Sequence, residues 1–161
     1  MILLDEIISL DASEQTLCRV LAALRNGVNS VHGTYSPKIG NRGEYEIDLD
    51  GIAGELAYAK TRNLCPDFGI GPRSGGHDFV DRDNRSIDVK TAPKSYHNLV
   101  VNLKKKNRPS DVYALMTGEF PDYVYRGEIT KEKLFTEDHP ELLSDQFCEC
   151  HRLQICPTAW M

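Results

Sequence analysis

Between residues 11 and 27 the apolar positions Leu17, Val20, Leu21 and Leu24 fall at i, i+3, i+4 and i+7, the spacing of one face of a helix. Asp11 followed by Glu14 has the form of a capping box, and Gly27 supplies a stop. The pattern predicts an amphipathic helix over 12–26. The apolar run at 2–9 predicts another helix, or the turn that leads into this one. Residues 27–50 are mostly polar, with glycines at 27, 33, 40 and 43, and read as a long irregular connection. Helical character resumes near Asp50 and runs to about Arg62.

Beyond Pro66 the pattern changes to short apolar and alternating runs. These predict strands over 76–80, 86–92, 98–103, 112–117 and 123–129. Asp81-Arg82-Asp83-Asn84-Arg85 between the first two is a turn composition. A short helix over 131–135 and a last strand over 152–156 complete the reading. Helices come first and strands afterwards, which argues for an α/β or α+β fold with a mixed, largely antiparallel central sheet of about four to five strands flanked by helices, not a doubly wound one. Without repeats or a Pro/Gly-rich linker the chain reads as one domain. A helical extension over 1–49 precedes a core over 50–135, and a C-terminal extension covers 136–161.

Composition narrows the class. The chain has 161 residues, 40% hydrophobic and 27% charged, enough apolar content for a core and too much for wholesale disorder. No apolar run approaches the ~20 residues that cross a bilayer. Ile2-Leu3-Leu4 meets Asp5 and Glu6 at once, with no basic segment ahead, so it does not read as a signal peptide. Five cysteines, an odd number, then suggest reduced thiols and a cytoplasmic location.

Net charge is −5, but its distribution is uneven. Residues 85–110 hold Arg85, Lys90, Lys94, Lys104, Lys105, Lys106 and Arg108 against Asp88 alone, inside an otherwise acidic chain. A basic run is often only a solvated loop. Its neighbours make a polyanion contact the sharper reading, with Lys94, Lys104, Lys105, Lys106 and Arg108 as candidate nucleic-acid-binding residues.

Three acids carry the candidate chemistry. On the second helix Glu55 shares a face with Ile52 and Ala59, an uncommon place for a carboxylate that is neither paired nor bound to a metal. In Ile87-Asp88-Val89-Lys90 the strand period sends Asp88 and Lys90 to one face, ~6.6 Å apart along the chain, and Ile87 and Val89 to the other. Asp78 completes the set if the hairpin loop is the three residues 82–84. Residue 81 then pairs with 85, Asp78 lies opposite Asp88 with Cβ atoms ~5 Å apart, and Asn84 takes the left-handed position. A two-residue loop would place the two aspartates on opposite faces.

Carboxylates that close repel, and one is driven neutral unless a cation sits between them. Hard oxygen donors suit Mg²⁺ or Mn²⁺. Lys90 could orient an attacking water or neutralise a crowded phosphate. On repulsion alone, Asp88→Asn should leave the ion-free protein at least as stable as the parent.

Gly54-Glu55-Leu56-Ala57 on a helix, Asp78 on a strand, and then Ile87-Asp88-Val89-Lys90-Thr91 resemble the PD-(D/E)XK nuclease superfamily. The resemblance covers roughly 50–135, including Ser110-Asp111-Val112-Tyr113-Ala114-Leu115 and Tyr123-Val124-Tyr125-Arg126-Gly127-Glu128-Ile129. It implies a restriction-endonuclease-like fold and Mg²⁺-dependent (or Mn²⁺-dependent) hydrolysis of DNA phosphodiester bonds. Asp78 matches the first acid of the motif, Asp88 and Lys90 its second acid and lysine, and Glu55 the acid on the preceding helix. Glu55, Asp78 and Asp88 would then ligate the ion, and all four residues would be catalytic. The motif's proline is absent, with His77 in its place. The compact size, by analogy, fits a phage-borne or repair-type nuclease better than a sequence-reading restriction enzyme; monomer and homodimer both stay open.

Two other readings use the same chain. One is a catalytically inactive DNA-binding module on this fold. The other is a zinc-stapled interaction domain built on Cys148, Cys150, His151 and Cys156, although adjacent Cys150-His151 fits zinc-ligand spacing poorly. The glycine-rich segment 69–76 lacks the Lys-Ser/Thr ending of a phosphate loop. Arg73, Tyr96 and His97 are further candidate substrate contacts.

Overall fold

Asp11 caps the first helix as its sequence implies. Its carboxylate accepts the Glu14 amide at 2.9 Å, while the Glu14 carboxylate accepts the Asp11 amide at 2.8 Å. In the computed structural model, which describes residues 6–33, 41–71, 76–135, 141–142 and 147–150, this helix (α1, Ala12–Val31) runs on past Gly27. The chain turns only at Gly33, whose φ of +63° an L side chain rarely adopts. One glycine costs a helix about 1 kcal/mol, and burial of Asn29 beyond it shows the continued helix in contact with the rest of the fold.

Residues 7–9 are a strand, not a helix or turn: β1 (Ile7–Ser9) lies at one edge of the main sheet. The second helix, α2 (Glu44–Arg62), starts well before Asp50. Its first turns look like loop because they are acidic. Their charges are placed to suit a helix, with Glu44 and Glu46 in the first turn facing the positive end of the backbone dipole. The next two acids are buried against partners. Asp48 accepts from Asn26 at 3.4 Å, and Asp50 is ion-paired to Arg42 and accepts from the Tyr123 hydroxyl at 2.7 Å. The helix ends at Asn63 in the left-handed conformation, near where the sequence places it.

The strands that follow are β2 (Phe79–Val80), β3 (Ser86–Ala92), β4 (Leu99–Asn102), β5 (Val112–Glu119) and β6 (Asp122–Thr130). A 3-10 turn (Leu103–Lys106) follows β4, a short helix α3 (Lys131–Leu134) follows β6, and β7 (Glu141–Leu142) and β8 (Phe147–Cys150) come last. Five strands form a mixed sheet in the order β1-β6-β5-β3-β2, parallel at β3–β5 and antiparallel elsewhere. β4 does not join it. It pairs with β8 in a separate sheet of order β4-β8-β7. The strand expected over 152–156 lies outside the described residues.

Every residue of β5 from Val112 to Thr117 is buried, as a strand covered on both faces requires. On one side Ala114 and Met116 join Ile87, Val89, Ile52 and Leu21 in the core beneath the helices. On the other, Tyr113 and Leu115 meet Leu99, Val101, Ile129 and Leu134. The buried face of α1 is Cys18, Leu21 and Ala22, so Leu17, Val20 and Leu24, expected in the core, are exposed. No helix among the described residues is long and apolar enough to cross a membrane.

Two contacts seat α2. At its C-terminus buried Arg62 approaches Glu128 of β6 at 3.4 Å, and the Tyr125 hydroxyl donates to the same carboxylate at 3.1 Å. In its middle, Gly54 lies so close to β3 that a Cβ there would overlap the Thr91 side chain. Gly54→Ala should therefore destabilise by about 1–3 kcal/mol despite its better helix propensity. Gly51→Ala, with open space at its Cβ, should stabilise by about 0.5–1 kcal/mol. Denaturant unfolding of both variants, and of Gly54→Ala combined with Thr91→Ala, checks this. The double variant should recover most of the Gly54→Ala loss.

Candidate active site

The β2–β3 turn fixes the site. The Asp81 amide donates to the Arg85 carbonyl and the Asn84 amide to the Asp81 carbonyl, each at 3.0 Å. The Asp81 carboxylate accepts the Asp83 and Arg85 amides at 2.9 Å. Asn84 takes φ 60°. This is the three-residue loop expected from the sequence, and Phe79 pairs with Ile87 and Val80 with Ser86. The paired register ends at Phe79; the Asp78 amide then donates to the Ile87 carbonyl at 2.8 Å, which keeps Asp78 against β3 next to Asp88 without a regular cross-strand pair.

β2 covers only Phe79–Val80 on the outer edge of β3. Beyond its end the Val89 amide donates to Asp78 Oδ2 at 2.7 Å. The side chain of Asp78 thus takes over where strand pairing stops, and this ties its carboxylate to β3. Asp88 is only 2% exposed. One of its oxygens is ion-paired to Lys90 Nζ, and the other lies 2.8 Å from Lys105 Nζ. Lys105 Nζ also donates to the Gly76 carbonyl at 2.9 Å.

From the helix side α2 contributes Glu55, whose carboxylate is 3.6 Å from Arg25 Nη1. Arg25 is itself held in place: Nε donates to the Gly69 carbonyl at 2.9 Å and Nη2 to the Asp67 carbonyl at 2.8 Å. Glu55, Asp78, Lys90, Thr91, His77 and Arg25 all line one open cleft of about 530 Å³. Asp88 stands behind that lining, covered by the two ammonium groups.

Burial, and then the Asp78 charge, push the Glu55 carboxyl up to about 8, although Arg25 and Lys90 pull the other way. Burial, and then Asp88, raise Asp78 to about 6 against the opposing effect of Lys90 and the Val89 amide. For Lys90, burial disfavours the ammonium, but Asp88 and Asp78 outweigh it and hold the group above its ordinary range. The cleft is therefore short of positive charge: both acids hold a proton more tightly than a free carboxyl, Glu55 more so than Asp78.

That donor set fits a hard divalent ion of the Mg²⁺ or Mn²⁺ type. It offers carboxylate oxygens on three elements, a penalty on their charge that a cation would relieve, and ammonium groups already standing in for one on Asp88. Among the described residues no three Asp, Glu, His or Cys side chains form a ready-made ligand cage. Bringing Asp88 to an ion requires an ammonium to move.

The basic segment divides. Lys105 turns inward to Asp88, whereas Lys104, Lys106 and Arg108 stay exposed. Lys94 pairs with exposed Glu119 at 2.6 Å, away from the cleft lining. Tyr96 is exposed and lies edge-on to His97. Arg73, His151 and Cys156 lie outside the described residues, as do the side chains of Cys148 and Cys150. Sequence reasoning missed Arg25 and the inward role of Lys105. Neither has a local signal, because their partners lie 17 to 44 residues away in the chain. The chain matches no protein-family model and no curated protein.

Proposed function

We propose that this protein is a divalent-metal-dependent nuclease of the PD-(D/E)XK type, with a restriction-endonuclease-like core, that hydrolyses DNA phosphodiester bonds. The observation that carries the reading is the convergence on one cleft of Asp78, whose carboxylate accepts the Val89 amide of β3, with Lys90 on that strand and Glu55 from the helix. A mixed sheet with helices on one face supports it as the scaffold.

Glu55, Asp78 and Asp88 would hold Mg²⁺ or Mn²⁺. Such an ion, when bound, polarises a phosphoryl oxygen and makes hydroxide available near neutral pH. Lys90, kept protonated by its carboxylate neighbours, donates from Nζ to a phosphate oxygen or orients the attacking water. Arg25 presents a fixed guanidinium on the cleft wall, since two backbone carbonyls hold it. Exposed Lys104, Lys106 and Arg108 contact the nucleic-acid backbone beyond the scissile bond.

The test is incubation with linear and circular DNA, with RNA in parallel, in Mg²⁺, in Mn²⁺ and in chelator. Ion-dependent loss of DNA that Lys90→Ala abolishes is the expected result. Cleavage that persists in chelator, or no cleavage of DNA under any condition, overturns it.

The pairing of Asp88 with Lys90 and Lys105 favours one second reading, an inactive DNA-binding module in which lysines neutralise the acid permanently. That module would bind a DNA duplex equally well in Mg²⁺ and in chelator at matched ionic strength, and would cleave nothing.

A further inference from the structure

We propose that Lys105 is an exchangeable counter-cation of the candidate metal site. Its ammonium occupies Asp88 in place of a divalent ion, latches the 3-10 turn across the site, and is displaced when an ion binds. The inference rests on the metal-dependent reading above and goes beyond it by naming the residue that sets ion affinity.

Asp88 is nearly inaccessible, and each of its oxygens faces a different ammonium. A divalent ion cannot reach this carboxylate with both lysines in place. Cation–cation repulsion at such distances is large wherever water is excluded.

The two lysines differ in how readily they can leave. Lys90 lies two residues from Asp88 on the same strand, so its backbone is held by the sheet. Lys105 comes from Leu103–Lys106, one short turn with no buried residue in it. Such a segment moves at low cost, because its apolar tie to the core is the partly buried Leu103 at its start.

Lys105 also closes the site. The same Nζ that pairs with Asp88 donates to the carbonyl of Gly76, in the stretch leading into Asp78. One ammonium thus ties the second acid of the site to the approach to the first. Its release frees both Asp88 and the 76–78 stretch. Lys104 and Lys106, on either side, are exposed, so position and not mere charge distinguishes Lys105 from its neighbours.

Linkage gives the sign. A resident cation that must be expelled lowers apparent ion affinity by the free energy of its own contacts, and its removal returns that affinity. Lys105→Gln should bind Mg²⁺ about tenfold more tightly than the parent, even if the ion-free variant melts lower. Lys104→Gln removes the same formal charge from the same turn and should stay within about twofold of the parent. Lys105→Arg keeps a cation at the position and should also stay near the parent.

The experiment is calorimetric titration of Mg²⁺, with Mn²⁺ as a second probe, into the parent and the three variants at equal ionic strength. It is paired with amine-acylation footprinting of the unmutated protein. On addition of Mg²⁺ the Lys105 amine should become several-fold more reactive, while Lys104 and Lys106 should not change. This second readout holds whether or not Lys105→Gln folds.

Equal Mg²⁺ affinity of the parent and Lys105→Gln overturns the latch and leaves the metal site standing. Equal tightening by Lys104→Gln also overturns it, because a general field would then be the cause. Unchanged Lys105 reactivity on ion binding does the same. If no protein binds Mg²⁺ or Mn²⁺, the metal-dependent reading falls and takes the latch with it.

Discussion

Asp88→Asn is expected to lower ion-dependent DNA cleavage by at least ~10³-fold and also to destabilise the ion-free protein. Asp78→Asn should abolish cleavage to a similar extent without that loss. The difference follows from what surrounds each carboxylate. Asp88 is 2% exposed and neutralises Lys90 and Lys105, whose side chains are 34% and 19% exposed.

Asparagine at 88 keeps the shape but leaves two ammonium groups without their counter-ion. Breaking a buried pair costs about 3–5 kcal/mol, and the partial exposure of both lysines reduces this to about 1–3 kcal/mol. Asp78 is instead a group whose charge is resisted by burial and by Asp88. An amide at 78 can still accept the Val89 N–H and removes the repulsion, so stability should hold or rise by up to about 1 kcal/mol.

Thermal melts in chelator at pH 8, with a DNA cleavage assay beside them, decide the matter. Equal melting of Asp88→Asn and parent, or retained cleavage in either variant, contradicts the assignment. The repulsion argument read from sequence alone pointed the other way for Asp88, because it counted the neighbouring acid and could not count Lys105.

The second large effect is a stability that falls as pH rises in chelator and is restored by Mg²⁺. Glu55 rises from 4.5 to about 8 on folding and Asp78 from 3.8 to about 6. Between these values the folded protein binds more protons than the unfolded chain, so unfolding becomes easier with each increment of pH. The penalty is absent below about pH 4, grows through the neutral range and is complete above pH 8.

Asp111 runs against this trend. Lys131, and then the Ser86 amide and hydroxyl, hold it down to about 2. Its contribution is present above its unfolded value and is lost only in acid, outside the window of interest. Midpoint temperatures in chelator should therefore drop by ~3 °C or more between pH 5 and pH 8. Glu55→Gln should flatten much of that slope.

Excess Mg²⁺ should raise the midpoint more at pH 8 than at pH 5, because binding draws on the ionised acids and releases protons. Calorimetry in two buffers of different ionisation enthalpy would show that release. A midpoint that is flat or rising with pH in chelator would remove the case for a proton-loaded, cation-deficient cleft.

Short-range chemistry decided the parts of this protein that its sequence alone determines. The Asp11–Glu14 cap, the end of α2 near Arg62 and the apolar run Val112–Met116 of β5 depend on residues a few positions apart, and all three are found as the pattern implies. The same holds for the β2–β3 turn that brings Asp78 against β3. It is a three-residue loop whose Asp81 carboxylate and left-handed Asn84 are local devices.

Tertiary structure decided the rest. Which side of α1 is buried depends on α2 and the sheet, so the apolar residues Leu17, Val20 and Leu24 end at the surface while Cys18 and Ala22 go inside. The acidic start of α2 is helical because Asn26 and Tyr123 meet its carboxylates from distant positions, and Arg42 from just ahead of the helix. β4 leaves the main sheet because its hydrogen-bonding partner is β8. Arg25 reaches Glu55 and the 67–69 carbonyls, and Lys105 reaches Asp88, across gaps that no local pattern encodes. A periodicity records what one element requires of its own residues; the partner that satisfies a buried charge is chosen only when the elements pack.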